Sequence, residues 1–187
     1  MKVNIKKKAF GTNVIFSDFS LSIKEGVTSF IMAPSGWGKT TLLRIMAGLD
    51  DDFEGSVDGK SGNNIVLFQE NRLVEGISVL SNLKALGVRE EECIDVLSHL
   101  SLYEYRYKKV SELSGGMKRR VALSRVLLLS GDRYFLDEPI TGLDDDCKRE
   151  TALYVAKKLS GRTVVVVSHN KEDSLLLGAV DTLVLGE

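Results

Sequence analysis

The sequence is poor in the features that mark the special protein classes. It has two cysteines, Cys93 and Cys147, far apart and without metal-ligand spacing. No disulfide framework is expected, and a reduced, cytosolic chain is the natural reading. No stretch approaches the roughly 18 consecutive apolar residues of a membrane helix. Residues 1–10 are basic and then mixed, without the apolar core of a signal peptide. If the protein works at a membrane, another subunit has to hold it there. An excess of one charge sign is also missing: the formal net charge is −1, so nothing overall favours nucleic acid or acidic lipid. Two short basic clusters, Lys6-Lys7-Lys8 and Lys118-Arg119-Arg120, read as solvated faces. Internal repeats, low-complexity linkers and sustained heptads are all lacking.

What is present suits one domain. The chain has 187 residues, 43% of them hydrophobic, enough for a sizeable core. Residues 14–23 partly alternate, with Phe19, Leu21 and Ile23 facing one way, as in a half-buried strand. Residues 27–32 and 65–68 read as short buried strands. Residues 39–47 have helical spacing and stop at Gly48. Residues 78–107 are helical and more polar, and a helix follows over 115–129. A short strand at 134–136 precedes an acidic pair. A helix over 144–159 is opened by acids that suit its positive end. Residues 163–167 include four consecutive valines, the pattern of a parallel strand buried on both faces, and 181–185 is a last strand. This alternation predicts an α/β fold, a mostly parallel sheet with helices on both faces. The polar helical stretch reads as an inserted subdomain.

Three segments carry chemistry. Ala33-Pro34-Ser35-Gly36-Trp37-Gly38-Lys39-Thr40 nearly fits the phosphate-loop pattern G-x-x-x-x-G-K-[ST], with a strand before and a helix after. Small residues let successive N–H groups point at phosphates, and the helix adds its N-terminal dipole. Lys39 would reach the β- and γ-phosphates, and the Thr40 hydroxyl would ligate Mg2+. Ala33 stands where the pattern has glycine; if that position needs a positive φ, alanine costs about 1 kcal/mol. In the second segment, Asp137 and Glu138 end an apolar strand, where α/β folds bind ligands. Asp137 suits a metal or its water, and Glu138, on the other side by strand alternation, suits a general base. In the third, Ser114-Gly115-Gly116 opens a helix and forms a second anion-binding nest. Two phosphate-binding helix starts on one chain are economically explained by a head-to-tail dimer, each nest capping the partner's nucleotide.

Together these segments resemble the nucleotide-binding subunits of ABC transporters over nearly the whole chain. Residues 33–41, which take in Thr41, resemble Walker A, and Leu136-Asp137-Glu138-Pro139 resembles Walker B. Leu113-Ser114-Gly115-Gly116-Met117 resembles the signature L-S-G-G-Q, with Met117 in place of glutamine. Gln69 looks like the Q-loop glutamine, Thr141-Gly142-Leu143-Asp144 like the D-loop, and Ser168-His169 like the switch histidine. Phe10 falls where the family's adenine-stacking aromatic does. All stand in family order.

The resemblance implies the ABC-type P-loop fold with an N-terminal antiparallel β part. It divides the chain (1–187) into a nucleotide-binding core, about 1–74 and 110–187, and a helical subdomain around 75–109 that docks the membrane subunit. It implies ATP and Mg2+ as cofactors, with Thr40, Gln69 and Asp137 toward the metal. Glu138 would be the base, His169 would hold the γ-phosphate, Ser35 to Thr41 would cradle phosphates, and Asp144 would lie at the dimer seam. Implied partners are a second ATPase subunit, as a homodimer on ATP binding in the family pattern, transmembrane permease subunits and an extracytoplasmic substrate-binding protein, with no direct nucleic acid. Implied location is the cytoplasmic face of the cell membrane. The runs Phe68-Gln69-Glu70-Asn71-Arg72-Leu73 and 78–83 resemble importer subunits for nitrate, sulfonate, taurine and thiamine precursors, although a Pro-Trp near Glu75-Gly76 is missing. About thirty residues separate Lys39 from Gln69, so any shortening relative to the family falls in the antiparallel hairpin region.

Two rivals differ in class. A GTPase would use Asn170-Lys171-Glu172-Asp173 (N-K-x-D) and Asp52-Phe53-Glu54-Gly55 (D-x-x-G), but it leaves Ser114-Gly115-Gly116 unexplained. A non-transport ABC ATPase acting on a soluble protein or nucleic-acid complex usually carries a coiled-coil insertion or a second cassette. Lys39→Ala should weaken nucleotide binding at least tenfold, about 1.4 kcal/mol or more, in a titration with a fluorescent ATP analogue. Unchanged affinity would overturn the phosphate-loop reading.

Overall fold

The computed structural model describes residues 1–59 and 62–185; the last two positions of the expected domain lie outside the described residues. The chain opens with an antiparallel hairpin, β1 (Lys2–Phe10) and β2 (Asn13–Ser22). Only β2 is legible from alternation. The lysines of β1 disguise a strand in which Val3 and Ile5 are buried while Lys2, Asn4 and Lys6 face solvent. β4 (Glu54–Asp58) pairs with the other edge of β1, completing a three-stranded sheet in the order β2-β1-β4.

Lys8 corrects the reading of the first basic cluster. Register irregularities fall between Ile5 and Lys7 on one side of β1 and between Lys8 and Ala9 on the other. A one-residue shift moves a side chain to the opposite face, and Lys8 is buried rather than solvated. Its Nζ lies 2.9 Å from Asp50 Oδ1 and donates to the Asp52 carbonyl at 2.6 Å. Burial opposes the charge, but Asp50 and Asp52 outweigh it and hold the ammonium above the ordinary lysine range.

A second sheet is entirely parallel. β3 (Thr28–Met32), β5 (Asn64–Leu67), β6 (Arg133–Asp137), β7 (Thr163–Ser168) and β8 (Asp181–Val184) lie in the order β5-β6-β7-β3-β8. The valine-rich β7 is central, as its composition requires. Successive side chains point to opposite faces. Val164 and Val166 enter one core with Phe30, Tyr134 and Leu136. Val165 and Val167 enter another with Ile31 and Phe135. Fully burying each such side chain contributes about 1.5–3 kcal/mol.

The two cores have different covers. One face carries α1 (Lys39–Met46) and the antiparallel sheet, through Leu42, Leu43, Ile45, Val3, Ile5 and Phe16. The other carries α2 (Val79–Lys84), α3 (Glu90–His99), α4 (Gly115–Leu128), α5 (Asp145–Lys158) and the end of α6 (Glu172–Leu176). Residues 78–107 therefore form two helices and a 3-10 turn, interrupted at Gly87 with φ +75°. Helix ends follow local rules. Gly48 at φ +74° closes α1, with Gly48 N–H on Ile45 O and Leu49 N–H on Arg44 O, the paired bonds of a Schellman stop. Asp144 caps α5, accepting from Cys147 N–H at 3.0 Å.

Lys8→Met should cost about 1–3 kcal/mol in urea unfolding, because the half-buried Asp50 carboxylate loses its counter-charge and keeps only the Asp52 N–H as donor. Asp52→Ala, at an exposed carboxylate, should stay within about 0.5 kcal/mol. Equal losses would show that the pair with Asp50 is not what holds β1 in place.

Candidate active site

Four adjacent parallel strands end at one edge of the sheet. β5 leads to Gln69, β6 ends at Asp137 and runs into Glu138, β7 ends at Ser168 before His169, and β3 leads through Ala33 to Lys39. Parallel strands with one direction put all their carboxyl ends together, which is where such sheets bind ligands. A cleft of ≈ 580 Å3 lies there. It is lined by Ser35, Gly36, Gly38, Lys39, Thr40, Thr41, Gln69, Gly115, Asp137, Glu138 and His169 among the residues expected from sequence.

The loop between β3 and α1 takes its shape from glycine. Gly36 and Gly38 adopt φ of +82° and +99°, left-handed values that other residues resist. Gly38 is also required sterically, since a Cβ there would come within 2.5 Å of Ile15 Cγ2. Ala33 is absent from the left-handed residues, so the alanine carries no backbone penalty. It is buried instead, and its carbonyl accepts from Lys39 Nζ at 2.9 Å, beside Pro34 O at 3.0 Å. Gly38 caps α1 with no side-chain bond to the helix N–H groups, which leaves them directed at the loop.

The acidic pair differs from expectation in one respect. Glu138 is not aimed by strand alternation: it lies beyond β6 at φ +51°, a left-handed turn whose N–H donates to Val167 O at 2.8 Å. That turn brings its carboxylate against β7. Oε1 meets His169 Nδ1 at 2.7 Å and accepts from His169 N–H at 3.2 Å. Oε2 accepts from Thr141 Oγ1 at 2.7 Å and lies 2.9 Å from Ser168 Oγ. Burial pushes the Glu138 carboxyl up, but the donors His169, Thr141 and Ser168 prevail and hold it below the ordinary range. Asp137 moves the other way: burial raises it, against the Thr40 hydroxyl that donates to Oδ2 at 2.6 Å. Ser168 Oγ is also 2.9 Å from Asp173 Oδ2, and one hydroxyl proton serves only one carboxylate at a time.

Residues 16–141 match the family model described as ABC transporter. Among curated proteins, the chain is 34% identical over 191 residues to the aliphatic sulfonates import ATP-binding protein SsuB 2 of Burkholderia lata, covering 95% of this chain and 70% of that one. It is 34% identical to the taurine import ATP-binding protein TauB of a Jannaschia species, with coverage of 90% and 69%. A bacterial ABC transporter cassette solved as a dimer superposes with a TM-score of 0.83 over 99% of this chain and 94% of that one, at 24% identity. The chain belongs to the ABC transporter family. It is an ATP-binding cassette of that family, with an ATPase fold and ATP and Mg2+ as its ligands.

The cassette's residues fit Mg2+. Thr40 and Asp137 present hard oxygens 2.6 Å apart, beside Gln69 on the same cleft. Among the described residues no group of three or more His, Cys, Asp or Glu could hold a metal alone. Mg2+ asks for less, since it keeps water and phosphate oxygens and takes one or two protein ligands.

Several expected residues stand outside the cleft lining. Trp37 packs on Phe16 and Phe19, with ring centroids 5.2 and 5.6 Å away. Phe10 is exposed, with Lys8 Nζ 4.6 Å from its ring centre. Ser114 caps α4 by accepting from Met117 N–H at 3.3 Å. Gly116 lies against the D-loop, where a Cβ would meet Gly142 O at 2.9 Å, and Asp144 is occupied as the α5 cap. The GTPase rival fails on placement. Asp173 is buried and ion-paired to Lys148 at 2.6 Å, and Glu54 and Gly55 lie in β4 on the antiparallel sheet.

Sequence reading missed Thr141's bond to Glu138, the Ser168–Asp173 contact and Arg119. The second basic cluster is not a solvated face, because Arg119 is buried and lines the cleft. Helical phase held the signal: Arg119 precedes Ala122 and Val126 on the buried stripe of α4. Gly38→Ala should reduce ATP-analogue affinity at least about a hundredfold, about 2.7 kcal/mol or more, combining φ strain with a clash at Ile15. Gly36→Ala, with open space around its Cβ, should cost only the backbone term of about 1–2 kcal/mol. Equal effects in binding titrations would refute the steric argument.

Proposed function

We propose that this cassette is the ATP-hydrolysing motor of a transporter that imports a sulfonate-class solute. The observation that carries the motor reading is the convergence of Lys39, Thr40, Gln69, Asp137, Glu138 and His169 on one cleft. Lys39 and the N–H groups of the loop bind the β- and γ-phosphates. Thr40 and Asp137, with Gln69 alongside, hold Mg2+, which when bound neutralises charge on the phosphate oxygens. Glu138 is the general base for the attacking water, and His169 orients that water and the γ-phosphate. The hydrogen bonds that fill both Glu138 oxygens keep the carboxylate ionised, the form a base needs. For water to reach it, His169 Nδ1 has to yield its place on Oε1. The exchange couples the histidine's position to the readiness of the base.

Import, and the sulfonate class, rest on the names of the relatives at 34% identity. Dimerisation through the Ser114-Gly115-Gly116 nest is supported by its position opening α4 and by the dimer of the structurally similar cassette. A membrane-embedded permease is the partner, with the helical part around 75–109 as its dock and the inner membrane face as the location. A substrate-binding protein outside the membrane completes the assembly. No described helix is long and apolar enough to cross a membrane, so the permease supplies the spans.

Glu138→Gln should keep ATP affinity within about threefold while hydrolysis falls about 10²-fold or more, the contribution of a positioned base, and a dimer should accumulate with ATP in size-exclusion chromatography. Parental turnover would overturn the base assignment. A pull-down from native membranes that recovers only soluble partners would overturn the transport reading.

A further inference from the structure

Arg119 carries a charge that none of these roles uses. It lies just past the first turn of α4, buried at 6% exposure. Its guanidinium reaches five oxygens. Nε donates to Glu138 O at 3.1 Å, and Nη2 donates to Asp137 O. Nη1 faces Phe68 O at 2.6 Å, Gln69 O at 3.2 Å and Asn71 Oδ1 at 3.2 Å. All five are neutral carbonyl or amide oxygens. The carboxylates of Asp137 and Glu138 act on the cation only through space, and burial draws it down to about 10. A buried cation without a direct ion pair is costly, so packing alone does not account for an arginine here.

The acceptors divide between two strand ends. Phe68, Gln69 and Asn71 follow β5; Asp137 ends β6 and Glu138 follows it. Glu138 is one of the few non-glycine residues at positive φ, +51°, a conformation that persists only when its surroundings over-determine it. Its N–H is held by Val167 O, and the carbonyls of Asp137 and Glu138 are both held by Arg119. The turn that aims the carboxylate is thereby fixed from both sides.

We propose that Arg119 is a positioning residue for ATP hydrolysis, a forked clamp on α4 that fixes the left-handed turn at Glu138 and locks it to the Gln69 loop. The proposal rests on Glu138 being the general base. It gives α4 a task beyond its Ser114 end, since displacement of the helix carries the base and Gln69 together. Only a planar fork serves this geometry. A lysine ammonium concentrates its donors on one atom, and a glutamine amide has a single NH2.

The test uses the full chain with Arg119→Lys, Arg119→Gln, Glu138→Gln and the Arg119→Lys/Glu138→Gln pair. Arg119→Lys should keep its fold by circular dichroism, with ATP-analogue Kd and KM within about threefold. Its kcat should fall about 10–100-fold, the scale of a misplaced catalytic group. Arg119→Gln should fall at least as far; if it does not fold, Arg119→Lys alone carries the test. In the pair, the lysine should remove under about twofold from the Glu138→Gln rate, because the group it aims is already gone. Parental kcat in Arg119→Lys beside an inactive Glu138→Gln overturns the clamp alone. So does a Kd loss equal to the whole loss in kcat/KM, or an Arg119→Lys that unfolds. Parental turnover in Glu138→Gln alone overturns the base assignment and this proposal with it.

Discussion

A strand of four valines has to be covered on both faces, and β7 meets that demand from the centre of a parallel sheet. Val164 and Val166 need helices on one side; Val165 and Val167 need α1 and the antiparallel sheet on the other. Parallel neighbours can only be joined by crossovers that pack on those faces. The same demand orients β5, β6, β7 and β3 alike, so the loops that leave them open on one edge. The candidate cleft is a by-product of covering the valines.

That edge concentrates polar groups where the sheet is least solvated. Asp137, Glu138, Arg119, Ser168 and Asp173 are all buried. Each is affordable because it has a partner: Thr40 on Asp137, Ser168 on either Glu138 or Asp173 at one time, Lys148 on Asp173, Arg119 on the carbonyls at the ends of β5 and β6. In a low dielectric, complete networks of this kind specify one arrangement, and partial ones are expensive. The left-handed turn at Glu138 belongs to the network. Its strain is held by the bonds around it rather than by its own preference.

The antiparallel sheet has a second role besides covering α1. Ile15 and Phe16 on β2 leave no room for a side chain at Gly38, and Phe16 and Phe19 seat Trp37. The phosphate loop is therefore pressed into shape from outside as well as by its own glycines. On the opposite side Gly116 meets the Gly142 carbonyl without space for a methyl group, which ties the start of α4 to the D-loop.

Local rules wrote much of this plainly. The glycines of the phosphate loop, the Gly48 stop, the Asp144 cap, the valine strand and the serine-glycine opening of α4 are all legible because each depends on neighbours within a few residues. Lys39, Thr40, Asp137 and Glu138 could be named from their local pattern, Gln69 and His169 only through the family resemblance, and the parallel sheet follows from alternation of strands and helices. β1 was hidden by its lysines, and Lys8 by register shifts that only pairing with β2 and β4 creates. How Glu138 points was decided by the partners of its backbone on β7 and α4, across long sequence separations. Arg119 reads as one of three surface cations until α4 is packed against two strand ends. Sequence by itself determined which groups can meet phosphate and which strands must be buried, since those are properties of single residues and short periods. Tertiary structure alone decided which charges are desolvated and what each one holds, because desolvation belongs to contacts between distant segments.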